Sequence, residues 1–256
     1  MWAHPAIPGK KTQLSVLSAS EGELMSVALR LTEEQLDALR QFDTCMVANA
    51  VETFNVRLRN TGFTNGSVHC MFEDAPPMVG YAVTARLQSG EPPIKGGTYR
   101  DRSELWKSIH ELPAPRILVL EDTDVPPGRG AFVGDVHASI LKALGCIGYV
   151  TNGAVRELPS VRAAGIQLFA GSVLVSHAYA HIFDVGATIQ IGGMEVRPGA
   201  LLHGDRHGVL NVPVEIAPAI PGVAAPLEES EQKLIAFCRS NSFSIEKLSE
   251  LLKTMK

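Results

Sequence analysis

The sequence predicts a mixed α/β fold with its strands crowded into the C-terminal half. Early in the chain, a capping box precedes apolar residues at helical spacing. An alternating stretch from Met78 to Leu87 and a short apolar run from Ile117 to Leu120 are typical of buried strands. Few of the strand segments are separated by helices of regular βαβ length. A plain Rossmann or barrel fold is therefore a poor fit.

The predicted helices follow from capping and periodicity. Thr32 and Gln35 have the spacing of a capping box, and Leu36, Leu39 and Phe42 then recur at helical intervals, so a first helix begins here. Apolar periodicity predicts further helices over residues 44–54, 103–110, 135–144 and 158–164.

Short strands are predicted between and after these helices. They cover residues 146–151, 167–170, 173–175 and 208–212. A hairpin over residues 186–196 turns at Gly192 and Gly193. Before the last strand, His203 and His207 are expected to have structural roles.

The chain divides into three predicted segments. Residues 1–29 are an irregular N-terminal arm of Pro, Gly, Ser and Lys, and residues 30–226 form the main domain. Residues 227–256 form a helical C-terminal extension with two amphipathic segments, 229–240 and 245–255. A helix with one apolar stripe needs a partner surface, which is either another subunit or the chain's own core.

Composition excludes several classes of protein. The 256 residues, 45% of them hydrophobic, suffice for one sizeable core. A net charge of −4 without a basic run predicts no nucleic-acid binding. No apolar stretch approaches the ~20 residues of a membrane span, and no apolar signal core opens the chain, so we expect a cytoplasmic protein. Four cysteines without a C-x-x-C pair favour buried thiols over a zinc finger or disulfide framework.

One stretch of sequence predicts a site for a small anion and a cation. Asp135 opens a short helix that stops at Gly145, and the unpaired first-turn amides of Val136 and His137 could bind a carboxylate. The following strand delivers Arg156, whose guanidinium can bind the same carboxylate through two hydrogen bonds. Glu157 and Asp135 supply hard oxygen ligands or water anchors for a divalent cation. A 2-oxo acid chelated to a metal would satisfy all of these groups.

These landmarks also resemble a known family. Gly134-Asp135 before a helix, Asn152 to Arg156 after a strand and the stretch from Val196 to Val209 are similar to the RraA-like superfamily. That superfamily includes the regulator of ribonuclease activity A and the class II 4-hydroxy-4-methyl-2-oxoglutarate aldolases, which have oxaloacetate decarboxylase side activity. The resemblance is strongest over residues 115–213. It implies an αββα sandwich, often assembled as a homotrimer or homohexamer with the cleft between subunits. It also implies that His203 to His207 lie in a loop near the subunit interface.

The resemblance also assigns roles to individual residues. The arginine of the aldolases maps to Arg156, the helix-opening acid to Asp135, and the two substrate-binding amides to Val136 and His137. In the aldolases the arginine is followed by a magnesium-binding aspartate, which is Glu157 here.

The chain departs from the aldolase pattern at further positions. Ser160 replaces a second acid, and Asn49 replaces an acid on the second helix. His137 stands where the aldolases tend to be aliphatic, which could change the substrate or assist proton transfer.

Two functions follow from this reading. The first is a divalent-metal-dependent lyase, an aldolase or decarboxylase, that cleaves a small 2-oxo acid through a metal-stabilised pyruvate-type enolate. Arg156 and Asp135 are its predicted catalytic residues; Val136, His137 and Arg156 bind substrate; Glu157, with Asp135 acting through water, holds Mg²⁺ or Mn²⁺. The alternative is a non-enzymatic protein-binding regulator like the ribonuclease regulators. Metal binding through Glu157 separates the two.

Overall fold

The structure is a computed structural model, and it describes residues 30–93 and 102–254. The predicted N-terminal arm, residues 1–29, lies outside the described residues. The described residues from Leu31 onward belong to one compact unit. None of the described helices is both long and apolar enough to cross a bilayer.

Except for α6, the described helices begin and end close to the predicted positions. They are α1 (Glu33–Arg40), α2 (Thr44–Thr53), α3 (Ser103–Glu111), α4 (Asp135–Ala143), α5 (Leu158–Ala163), α6 (Ile220–Cys238) and α7 (Ile245–Thr254), with a 3₁₀ turn over Ala217–Ala219. The predicted capping box of α1 is confirmed. The Thr32 hydroxyl accepts from the Gln35 amide at 3.3 Å, and the Gln35 side chain accepts from the Thr32 amide at 2.9 Å.

The strands form one large sheet and two small ones. They are β1 (His69–Cys70), β2 (Met78–Gln88), β3 (Arg116–Asp122), β4 (Ala131–Val133), β5 (Cys146–Thr151), β6 (Ala154–Val155), β7 (Gln167–Ala170), β8 (Ser172–Val173), β9 (His181–Phe183), β10 (Ile189–Ile191), β11 (Met194–Val196), β12 (Leu201–Asp205) and β13 (Gly208–Val212). The large sheet has the order β1-β7-β5-β3-β2-β12-β13, with β9 also paired to β2.

The centre of the large sheet is parallel. Strands β2, β3, β5 and β7 run in one direction, and a helix precedes each strand after the first. The sequence reading therefore underestimated the βαβ content, because α5 spans only six residues and β4 and β6 interrupt the crossovers. The antiparallel pairs of β2 with β12 and of β12 with β13 still separate this sheet from a plain Rossmann sheet.

The large sheet is buried on both faces, with helices packed on one face and the β10–β11 hairpin on the other. On β2, Val83 and Ala85 pack in a cluster with residues of α3 and α4, while Val79 and Tyr81 pack with residues of α1, α2 and α6. Ala82, on the opposite face, joins an inner cluster with β10 and β11. A strand buried on both faces reads as a continuous apolar run, as β2 does. The predicted mixed α/β fold is confirmed.

The predicted hairpin and last strand are also present. Ile191 pairs with Met194, and Gly192 and Gly193 both have positive φ values of 52° and 80°. A two-residue turn with positive φ at both positions matches the right-handed twist of the strands it joins.

The prediction of a loop from His203 to His207 is wrong for its first half. His203 and Asp205 lie in strand β12 and are buried. The His203 ring bonds the Thr44 hydroxyl at 2.9 Å and the Leu39 carbonyl at 3.2 Å, and the Asp205 carboxylate accepts from the Thr44 amide at 2.8 Å. These polar side chains join β12 to α1 and α2, which is the expected structural role. Because they interrupt the apolar pattern of the sequence, β12 is not recognisable as a strand from that pattern.

The C-terminal helices are present, but the first begins earlier than the sequence pattern indicated. Helix α6 starts at Ile220 and runs through Pro226, so the expected boundary between residues 226 and 227 falls inside a continuous helix. Helix α6 packs with α2 and α1 in the core. Asn49 of α2, where the resembled aldolases have an acid, donates to Glu231 of α6 at 3.4 Å.

Candidate active site

A small sheet of parallel strands brings the predicted site residues together. Strand β4 pairs with β6, and β6 pairs with β8. The Arg156 amide continues the ladder by donating to the Val133 carbonyl at 3.0 Å. Because parallel strands end at the same edge, Gly134-Asp135 after β4 lies beside Arg156-Glu157 after β6. The sequence separates these two pairs, but the fold makes them neighbours.

Glu157 closes the N-terminus of α4. Its Oε2 accepts a hydrogen bond from the Asp135 amide at 2.8 Å, and its Oε1 lies 3.4 Å from Arg156 Nη2. Its backbone is left-handed, with φ of 55°. The helix N-terminus thus holds an anion, as its free amides and dipole favour, and in this structure the protein itself supplies the carboxylate.

Gly134 leaves space for these two side chains in their present positions. A Cβ built on Gly134 would lie 2.2 Å from Glu157 Oε2 and 3.1 Å from Arg156 Nε. The φ of Gly134 is −136°, which any residue can adopt, so a side chain here would displace its neighbours and would not strain the backbone.

The first-turn amides are partly occupied. The Val136 amide donates to its neighbour Asp135 Oδ1 at 2.6 Å, and the Ser139 hydroxyl donates to the Asp135 carbonyl at 2.9 Å. A substrate carboxylate could reach the Val136 amide only if the Asp135 side chain turned away from it. Asp135 and Val136 are both exposed, so there is space for such a rotation.

The His137 ring is packed away from the open face of the site. It lies 4.6 Å from the Phe132 ring and 6.3 Å from the Trp106 ring, measured between centroids. Burial, then the positive charges of Arg102 and Arg156, lower the pKa of His137 to about 4. The ring is therefore neutral near pH 7. Arg102 donates to its Nε2, so the His137 side chain is not placed to supply a proton.

Sequence reasoning missed Arg102. Its guanidinium lies over the Phe132 ring at 4.5 Å and also donates to the Ala180 carbonyl at 3.4 Å. A single arginine just before a helix carries no recognisable pattern. Only the folded chain shows that Arg102 holds the His137 ring.

Two buried carboxylates shape the loop that leads into β4. Asp122, at the end of β3, accepts from the Gly128 amide at 2.7 Å and from the Asp124 amide at 3.0 Å. Asp124 in turn accepts from the Ser89 amide and hydroxyl and from the Gly90 amide, all at 2.8 Å. Burial raises the pKa of Asp122 above its ordinary value.

Asn152 joins the Asp122 network to strand β5. Asp122 and Asn152 exchange two hydrogen bonds, from the Asp122 amide to Asn152 Oδ1 at 2.7 Å and from Asn152 Nδ2 to the Asp122 carbonyl at 2.9 Å. The ends of β3 and β5 and the start of the loop are thereby fixed together, beside the strands that carry the site.

The donor atoms at the site fit a magnesium-type ion better than a zinc cage. Asp135 and Glu157 offer two carboxylates, and within residues 30–93 and 102–254 no group of three or more His, Cys, Asp or Glu could hold a metal. Mg²⁺ is commonly held by one or two carboxylates, with water and substrate completing its shell. His177 and His181 have the four-residue spacing of a zinc pair on a helix, but no helix forms there: His177 lies in a loop and His181 begins β9. Each Nδ1 bonds a nearby carbonyl, that of Ala178 or of Tyr179.

The surface around the site is open and partly apolar. The Arg156 side chain is 30% exposed, and its Nη1 lies 3.4 Å from the Val175 carbonyl. Val175 is 94% exposed and Val136 64% exposed. Concavities of the described surface lie elsewhere, around Phe72 and around Leu58. The chemistry of the candidate site is therefore argued from its converging side chains.

Comparisons with known proteins agree with this architecture. The family description RraA-like (Aldolase/RraA) matches residues 44–211. A Halalkalibacterium halodurans protein, provisionally named 4-hydroxy-4-methyl-2-oxoglutarate aldolase, is 26% identical over 185 residues, which is 72% of this chain and 80% of the relative.

Two solved structures share the fold. An uncharacterised protein from Pseudomonas syringae pathovar tomato has a TM-score of 0.67 at 19% identity, over 98% of this chain and 100% of that one. Streptomyces coelicolor RraAS2, described as an unusual member of the RNase ES inhibitor RraA protein family, has a TM-score of 0.63 at 21% identity, over 79% of this chain and 96% of that one.

The protein has a mixed α/β fold, and its candidate site places two carboxylates and an arginine at the N-terminus of helix α4. With the match over residues 44–211, the chain belongs to the RraA-like family, as its sequence landmarks predicted. The named relatives include one with an aldolase name and one described as belonging to an inhibitor family, so family membership leaves the reaction to be argued from the site.

Proposed function

We propose that this protein is a divalent-metal-dependent lyase that cleaves a small 2-oxo acid in an aldolase or decarboxylase reaction. The observation that carries the proposal is the convergence of Arg156, Glu157 and Asp135 at the N-terminus of α4. Gly134, which has no side chain, leaves space for the Arg156 and Glu157 side chains there. The aldolase name of the H. halodurans relative supports the same class of reaction.

Arg156 is the proposed binding group for the substrate carboxylate. Its present contacts, to Glu157 Oε1 and to the Val175 carbonyl, are both 3.4 Å long, so an incoming carboxylate can replace them with shorter, charge-assisted bonds. The first-turn amides of Val136 and His137 would complete the carboxylate site once Asp135 turns away.

Glu157 and Asp135 are the proposed holders of the cation. Glu157 can offer Oε1 while Oε2 stays on the Asp135 amide, and Asp135 would act through a water molecule. Bound Mg²⁺ or Mn²⁺ would supply Lewis-acid polarisation of the 2-oxo group. The longer glutamate keeps the negative charge that the resembled aldolases place on an aspartate.

The proton must come from water held at the site. Asp135 and Glu157 are the exposed acids that can orient such a water, whereas the neutral His137 ring is bonded to Arg102. Retro-aldol cleavage and β-decarboxylation both leave a pyruvate-type enolate that takes up one proton. Retro-aldol cleavage must also remove the proton of the 4-hydroxyl, and water oriented by the same two carboxylates would accept it.

A protein-binding regulator is the second candidate, and the exposed apolar residues favour it. Val136, Val173 and Val175 are each at least 50% exposed on the elements that carry the site. Such a patch suits a macromolecular partner as well as a second subunit. The absence of an acid at Ser160 weakens the acidic site further.

The decisive experiment measures pyruvate release from oxaloacetate and from 4-hydroxy-4-methyl-2-oxoglutarate, with Mg²⁺ or Mn²⁺ and with chelator. We expect chelator-sensitive pyruvate release. The rate of release should fall roughly a hundredfold or more in Arg156→Ala, because the substrate carboxylate loses the guanidinium that binds it. Arg129→Ala is the matched control, since that arginine contacts the Val125 carbonyl in the neighbouring loop.

A metal titration separates the two candidates. Glu157→Gln keeps the acceptor for the Asp135 amide but removes a charge, so Mn²⁺ affinity measured by calorimetry should fall with the fold intact. Unchanged pyruvate release in Arg156→Ala would sink the proposed site. Absence of release together with absence of Mn²⁺ binding would favour the regulator.

A further inference from the structure

A cavity of about 260 Å³ lies at the opposite end of the parallel strands from the candidate active site. Its walls include Met78, Ile147 and Gln167, near the starts of β2, β5 and β7, whereas the active-site groups follow the strand ends. Phe72 and Ile166 complete its apolar lining. Its volume approaches that of small-ligand pockets, roughly 300 Å³ and above.

The cavity wall is buried and hydrogen-bonded. Phe72, Met78, Ile166 and Gln167 are each less than 10% exposed. Gln167 donates from Nε2 to the Phe72 carbonyl at 3.1 Å, and its Oε1 accepts from the Leu168 amide at 3.2 Å. A buried amide satisfied at both ends thus holds the backbone of Phe72 beside the opening.

Cations stand at the rim. Arg162 lies over the Phe72 ring, 5.5 Å from its centroid, and pairs with Asp74. A Cβ built on Gly165, which lines the cavity, would lie 3.3 Å from Lys142 Nζ. Arg162 and Asp74 are 53% and 70% exposed, so their ion pair contributes little and a ligand carboxylate can replace Asp74.

We propose that this cavity binds a small aromatic carboxylate, with the ring against Phe72 and Ile147 and the carboxylate on Arg162 and Lys142. An apolar wall accepts the ring, an aromatic side chain beneath a guanidinium favours stacking, and two cations against one acid favour an anion at the rim. The cavity is separate from the proposed lyase site, and its ligand need not be a substrate.

The test is a calorimetric or NMR titration of the full-length protein with 2-naphthoate and with its neutral isostere 2-naphthamide. We expect saturable naphthoate binding that weakens about tenfold in Arg162→Gln, since a charge-assisted bond is lost, and weaker binding of the amide to the wild type. Arg162 is exposed, so its substitution leaves the fold intact. Arg156→Ala, at the other end of the strands, should bind naphthoate as the wild type does.

Three results would overturn the proposal. Equal binding of naphthoate and naphthamide would remove the role of the rim charges. Loss of naphthoate binding in Arg156→Ala with retention in Arg162→Gln would place the ligand at the candidate active site. Absence of saturable binding of both probes would mean that the cavity is a packing defect or is covered by a second copy of the chain. None of these results bears on pyruvate release.

Discussion

Single residues at the site combine chemical roles with steric constraints, and Glu157 shows this best. Its carboxylate caps α4 and faces Arg156, yet its own backbone is left-handed at φ 55°. Among non-glycine residues, asparagine and aspartate are enriched in that conformation and glutamate is not. The position therefore holds a side chain that its backbone does not favour, as expected where contacts with neighbouring residues determine the conformation.

Gly134→Ala should lower the activity of the protein at little cost to folding. The new methyl group would overlap Glu157 Oε2 and press on Arg156 Nε, so the Glu157 carboxylate must leave its present position and Arg156 must shift slightly. The measurement pairs oxo-acid turnover with thermal unfolding. Gly66→Ala is the control, because no atom lies within 4 Å of its added Cβ. Full activity in Gly134→Ala would contradict the proposed arrangement.

His137 predicts a pH dependence of stability. Its pKa falls from 6.5 to about 4 on folding, chiefly through burial, so the unfolded chain binds the proton more readily. Stability conferred by the neutral ring is complete above pH 6.5 and is lost as the pH falls toward 4. Over this pH range the free energy of unfolding falls by about 3 kcal/mol in total.

Denaturant unfolding across that pH window checks the prediction. His137→Phe should flatten the slope, whereas Phe132→Leu, which weakens packing around the same ring, should lower stability by a similar amount at every pH. An unchanged slope in His137→Phe would show that other groups carry the acid sensitivity.

Among the elements, the loop between β3 and β4 depends on Asp122. Asp122→Ala leaves the amides of Asp124 and Gly128 without their acceptor and should cost roughly 1–3 kcal/mol. Hydrogen exchange at the amides of Asp124 and Gly128 should be faster in Asp122→Ala than in the wild type. Asp37→Ala, in an exposed ion pair with Arg40, is the control and should change stability little. Unchanged protection in Asp122→Ala would show that Asp124 alone holds the loop.

Most elements could be predicted from sequence because their signals are local. The capping box at Thr32, the alternation in β2 and the glycine pair at 192 and 193 each act within a few residues. Strand β12 was not predicted because His203 and Asp205 interrupt its apolar pattern. Their hydrogen-bond partner, Thr44, lies about 160 positions away in the sequence. Local pattern carries no information about such distant partners.

The site was predictable only in part for the same reason. The N-terminus of α4 at Asp135 and the position of Arg156 after a strand can each be recognised from a few neighbouring residues. The bond between the Glu157 carboxylate and the Asp135 amide depends on parallel pairing of β4 and β6, and the contact of Arg102 with His137 depends on the packing of α3 against α4. Both arise from tertiary structure.

At the scale of the whole molecule, the apolar rim around the site predicts self-association. A homotrimer or homohexamer, as the family resemblance implies, would cover Val175, which is 94% exposed, together with Val136 and Val173. Val175→Glu should therefore shift the protein toward monomer in sedimentation velocity experiments, because a buried charge opposes the contact. Leu58→Glu, on the loop after α2, is the control. A wild-type distribution in Val175→Glu would exclude this face from the interface.

Helices α4 and α5 are joined at their N-termini. Glu157, which immediately precedes α5, accepts a hydrogen bond from the Asp135 amide at the start of α4. The spacing of Arg156 and Asp135 is therefore tied to the relative placement of these two helices, so a core substitution that shifts either helix would change the site without touching any of its side chains.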